Sequence, residues 1–156
     1  MNGKLVGGVI VLAALVTGIS IYYLQVYAFY VQLDPAEVEI RMTGIASEEP
    51  EPILTDALQA IDGDSSPIRF RACFETGRSI AGLTEQFVIY DAADPLNAPE
   101  WFDCFDAREI GEALAAGDAI AFLGEKNIHD GVDRVVAVFD DGRAYAWHQL
   151  NETYQD

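Results

Sequence analysis

Cys73, in "RFRACFET", and Cys104, in "WFDCFDAREIGEALAAG", are the only thiols of the chain, and His129 and His148 are its only imidazoles. Three arrangements compete for these four side chains: a cysteine nucleophile with a histidine base, a metal centre, or a disulfide. A nucleophile needs a thiolate, which positive surroundings favour. Cys104 instead stands between Asp103 and Asp106, whose negative charge opposes ionisation of a neighbouring thiol. The four residues match no finger or ribbon spacing, and no two are close in sequence, so no metal or cofactor is expected. A Cys73–Cys104 bridge uses both sulfurs without remainder. It closes a loop of about 32 residues, worth roughly 3.7 kcal/mol in the chain-entropy picture. Two buried, unpaired thiols are the alternative. No catalytic residue is readable.

"DGDSSP" begins like a calcium loop with Asp62, Asp64 and Ser66, but Pro67 holds the sixth place and Cys73 the twelfth, where glycine and an acid belong. The densest polar stretch is "GEKNIHDG" (124–131), a connecting loop that gathers Glu125, Lys126, Asn127, His129 and Asp130. It is the candidate polar site, weighed against a solvated connection between strands. His148 alternates with Ala144 and Ala146, as a satisfied sheet histidine would. Trp101 and Phe102 follow a proline loop and are read as core, or, if exposed, as an anchor for a partner.

The elements that position these residues fall into two parts. Leu5 to Leu33 carries no charged residue. Leu5–Leu24 alone would span about 30 Å as a helix, the thickness of a hydrocarbon core. Tyr22, Tyr23, Tyr27 and Tyr30 gather at its far end, where amphipathic rings favour the membrane interface. Asp34-Pro35 is expected to end the helix. The core is too long for a cleaved leader and no small-x-small cleavage pattern follows, so residues 1–33 are read as an uncleaved anchor with a short cytoplasmic tail. Ala14 and Gly18 form a small-xxx-small pair that would let another membrane helix approach closely.

All 26 acidic residues lie from Asp34 onward, and Lys4 is the only base before Arg41. Such charge disfavours nucleic acid as a partner and adhesion to anionic lipid. The weak positive amino-terminal flank places the tail in the cytoplasm and residues 34–156 outside it. Within that domain "EVEIRMTGI" alternates as a half-buried strand, "ILTDALQAID" reads as a short helix, and "IRFRACF" and "EQFVIY" read as strands. Asp106 and Glu109 offer a capping box for a helix that Gly117 stops. "DRVVAVFDDGRAYAWHQL" is a hairpin about Asp141-Gly142. The expectation is an α+β domain: a mostly antiparallel sheet of about six strands with one packed helix, preceded by a single transmembrane helix.

"MNGKLVGGVIVLAALVTG", "SSPIRFRACF", "WFDCFDAREIGEAL" and "AFLGEKNIHDGVDRVVAVFDDGRAYAWHQLN" together resemble a family of small single-span membrane proteins of unknown function from alphaproteobacteria. Members sometimes carry a histidine-kinase label, but this chain has no glycine-rich ATP-lid motif. The resemblance implies a bacterial inner-membrane location and supplies no activity or site residues. A periplasmic accessory or protein-interaction subunit, with a membrane protein as partner, is the leading expectation. A small hydrolase or ligand-binding module using 124–131 is the alternative.

Overall fold

The structure, a computed structural model, describes residues 2–154; Met1 of the expected tail and the last two residues of the expected domain lie outside it. Helix α1 runs Gly3–Tyr23, capped by the Asn2 side chain, and continues as a π-helical turn over Leu24–Ala28. None of its residues is buried, so its apolar surface has no covering within the described residues. The helix ends seven residues before Pro35, short of the expected stop. The reason is tertiary: Val31–Gln32 (β1) pairs antiparallel with Ile61 and Asp62, and the Leu33 N–H donates to the Ala60 carbonyl.

Two short strands follow, β2 (Arg41–Thr43) and β3 (Pro50–Pro52), paired with each other. The main sheet adds β4 (Asp56–Asp62) and β5 (Arg71–Glu75), then, after two helices, β6 (Ala119–His129), β7 (Val132–Phe139) and β8 (Arg143–Leu150). Its order is β1-β4-β5-β8-β7-β6, and every pairing is antiparallel. The β7–β8 hairpin turns at Gly142, whose φ of 91° suits a residue without a Cβ. Helix α2 is Ile80–Gln86 and α3 is Ala107–Ala116. The domain is α+β, as expected.

Both faces of the sheet are covered, which is why β7 reads apolar without alternation. On one face Ala72, Phe74, Val136, Val138, Ala144 and Ala146 pack under Ile40, Met42, Leu83 and Phe87, from β2, α2 and the residues next to them. On the other, Cys73, Val135, Ala137, Tyr145 and Trp147 pack under Phe102, Phe105 and Ile110 from the 98–105 segment and α3. Neighbouring residues of one strand therefore serve different cores.

Several local expectations are corrected by this packing. "ILTDALQAID" is strand β4, not a helix: Leu58 and Ala60 reach one core and Ile61 the other, and pairing with β5 supplies the hydrogen bonds that a helix would have made. A bulge at Ala57 (φ 51°) accommodates the register shift. "EQFVIY" begins as the end of α2 and continues through isolated bridges from Phe87 to Gly44 and Ile89 to Phe122, so the domain has a second helix. Cys73 lies in the middle of β5 rather than at its end. Asp106 caps α3 through the N–H groups of Arg108 and Glu109, and Gly117 ends it at φ 81°. The Glu109 carboxylate completes no capping box, because it accepts from Arg143 at 2.8 Å.

Candidate functional site

Cys73 and Cys104 are disulfide-bonded, with Cα atoms 6.3 Å apart. The bridge fastens the middle of β5 to the segment that enters α3. Arg71 fastens the stretch just ahead of it. This side chain is 3% exposed and donates to the carbonyls of Leu96, Asn97, Ile68 and Phe70. Burial pushes its pKa down to about 10. Together the two devices hold residues 96–104 rigidly over the sheet, and these residues carry Trp101 and Phe102.

The 124–131 segment is not a loop. Gly124–His129 continues β6 through bulges, and the turn is confined to Asp130-Gly131. Four of its five polar residues, all but His129, bond to the fold. Glu125 pairs with Arg134 at 3.5 Å and Lys126 with Glu152 at 3.2 Å. Asp130 accepts from the Tyr154 hydroxyl. The Asn127 N–H donates to the Asp133 carboxylate at 2.8 Å, which lets Asn127 hold a φ of 50°. Asp133, 1% exposed, also accepts from Asn151 and from Tyr90. Its own burial, and after it the neighbouring Asp133 carboxylate, hold the Tyr90 hydroxyl well above the usual phenol range.

His148 is buried between β7 and the 63–69 turn. Its ring stacks on Phe70 at 4.8 Å, and its Nε2 accepts from Arg134 Nε at 3.0 Å. Nδ1 therefore carries the proton and donates to the Pro67 carbonyl at 2.9 Å. Burial, reinforced by the Arg134 charge, lowers its pKa to about 3. It is a neutral structural histidine.

His129 is exposed, its ring 5.7 Å from that of His148. It helps line a cleft of about 500 Å³ with Val31, Leu33, Asp62, Asp64 and Ser66. Serine, histidine and aspartate thus share one concavity, a meeting that sequence spacing could not show. Among the described residues no hydrogen bond joins them: Asp62 accepts from the Gly63 N–H, and burial raises its carboxyl pKa. Nor, among the described residues, do three His, Cys, Asp or Glu side chains group to hold a metal ion.

The sequence was also compared with known proteins. Residues 40–156 match DUF6446, a family of unknown function. The chain belongs to this family. No curated protein and no solved structure matches it. The DUF6446 stretch takes in β2–β8, both domain helices and the disulfide, while α1 and β1 precede it.

The junction between α1 and the DUF6446 domain is a packed one. The Trp101 indole Nε1 donates to the Val26 carbonyl, in the π turn, at 2.7 Å. Tyr30 meets the Trp101 ring edge-on at 6.3 Å, and the Arg69 guanidinium lies 4.9 Å from the Tyr30 ring centre and 5.5 Å from that of Phe29. A Cβ on Gly63 would strike the Phe29 carbonyl. Tyr22, Tyr23 and Tyr27 are exposed and mutually packed near the end of the helix, whereas Tyr30 turns into the domain. Phe102 is 4% exposed, in the core, and Trp101 is half-buried with its indole engaged by the chain's own helix. Ala14 and Gly18 lie exposed on α1, and a Cβ at Gly18 would meet nothing within 4 Å.

Proposed function

We propose that the chain is a single-pass bacterial inner-membrane protein, with its amino terminus in the cytoplasm and its acidic domain in the periplasm. In this reading it acts as an accessory or interaction subunit for another membrane protein. The observation that carries it is the junction: Val26 accepts from Trp101, and the chain enters the sheet at Val31. A leader destined for removal is a separable segment, whereas the last turn of this apolar helix is hydrogen-bonded to the domain through Val26. Gly3–Ala28 is long and apolar enough to cross a bilayer. The Cys73–Cys104 bridge suits an oxidising compartment. Tyr22, Tyr23 and Tyr27 fit the headgroup layer, and Ala14 with Gly18 would receive the partner's helix.

Purification from native membranes in mild detergent tests the reading through the intact mass and the co-purifying proteins. The expected result is a chain that retains its apolar segment together with a stoichiometric membrane protein. A chain shortened by that segment, or one recovered alone, contradicts it.

A further inference from the structure

The chain has seven arginines, and six of them direct their guanidinium groups to acceptors on the protein. Arg41, Arg108, Arg134 and Arg143 pair with carboxylates, Arg78 donates to Gln86, and Arg71 donates to backbone carbonyls. Arg69 differs. Among the described residues it makes no ion pair, and its Nε is buried without an acceptor. The covered Nε takes no part in binding from outside, but a guanidinium that finds no acceptor on its own chain can take an anion through its two terminal amino groups.

Its position says what that anion is. The guanidinium lies against the rings of Phe29 and Tyr30, the first residues beyond the helix. If Leu5–Leu24 fills the hydrocarbon core, Phe29 stands five residues further, about 7 Å along the helix axis. The headgroup layer is roughly 6 Å thick on each side, so Arg69, lying against the Phe29 ring, comes at its outer edge, within side-chain reach of the phosphates. The rings hold its planar fork in one orientation, and such a fork matches two phosphate oxygens. It does so beneath a domain whose net negative charge would otherwise be repelled by lipid.

We propose that Arg69 is a phospholipid headgroup site: its guanidinium binds the phosphodiester of a lipid packed against Phe29 and Tyr30. This fixes the height at which the domain sits on the bilayer. The inference rests on the membrane-anchor reading above.

Solid-state NMR on the full chain, with arginine labelled by nitrogen-15 in phosphatidylcholine vesicles, tests it through dephasing of guanidinium signals by lipid phosphorus-31. One arginine signal should be dephased, as for nitrogen–phosphorus distances of about 4 Å, and Arg69→Gln should abolish that dephasing. Arg69→Lys should restore vesicle-bound thermal stability only in part, because an ammonium lacks the fork. An embedded wild-type chain with no dephased arginine overturns the proposal without reference to any variant. Dephasing that persists in Arg69→Gln overturns it as well. Equal dephasing by inorganic phosphate, with the protein in dodecyl maltoside, would assign a soluble anion instead of lipid. A chain that carbonate washing strips from vesicles would overturn the anchor reading itself, and that outcome is distinct from an embedded chain with a silent Arg69.

Discussion

Replacing Cys73 and Cys104 together by alanine opens the tie between β5 and the segment that enters α3. With a sequence separation of 31, the chain-entropy relation gives about 3.7 kcal/mol of lost stability. A domain of roughly 120 residues has an unfolding entropy near 0.25 kcal/mol/K, so the melting temperature should fall by about 15 °C. The damage should also be uneven. Trp101 lies three residues before Cys104 and grips Val26, whereas the Trp147 indole donates to Gln149 within the sheet. The chain has only two tryptophans, so their indole N–H signals report on the two places separately. Thermal unfolding of the full chain in detergent gives the first quantity, and hydrogen exchange of the two indoles gives the second. A fall of under about 4 °C, equivalent to roughly 1 kcal/mol, would refute the entropic argument. Equal acceleration of exchange at both indoles would refute the claim that the bridge acts locally on the helix junction.

His148 should make stability depend on pH. Its folded pKa of about 3 lies below the ordinary 6.5. The unfolded chain therefore binds the extra proton between those values, and stability should fall as pH drops from 6.5 toward 3, by at most about 1.4 kcal/mol per unit. His148→Gln should flatten that part of the profile in thermal melts between pH 4.5 and 7, and parallel curves would contradict the assignment. Gly63→Ala should cost roughly 1–3 kcal/mol in thermal unfolding, because its Cβ meets the Phe29 carbonyl. Gly77→Ala, where nothing lies within 4 Å, should stay within about 0.5 kcal/mol of wild type. Gly18→Leu should weaken recovery of the membrane partner while leaving the protein in the membrane fraction; unchanged recovery would reduce α1 to a tether.

Local signals in the sequence foretold a good part of this fold. The uncharged run from Leu5, the Asp106 cap with its Gly117 stop, and the Asp141-Gly142 turn each depend on residues a few positions apart, and each stands in the structure. The disulfide was legible because two thiols leave one pairing. "ILTDALQAID" misled because its apolar residues fit a helical face equally well, and only the neighbouring β5 decides for a strand. Gly124–His129 misled for a related reason: its charged residues look solvated, yet bulges let them continue β6 while Asp133 and Arg134 take up their polar groups. The junction was hidden by distance. Trp101 and Val26 are 75 residues apart, and no periodicity reports a contact of that span. The shared cleft of Asp62, Ser66 and His129 was hidden in the same way.

The central claim is that the helix crosses the membrane once and leaves the disulfide-bonded domain outside the cytoplasm. A reporter that matures only in the periplasm, fused after Asp156 of the full chain, tests it most directly. The account predicts an active reporter in the membrane fraction, still attached to a chain that retains its apolar segment. Activity from a reporter confined to the cytoplasm, or an active reporter released in soluble form, would contradict it.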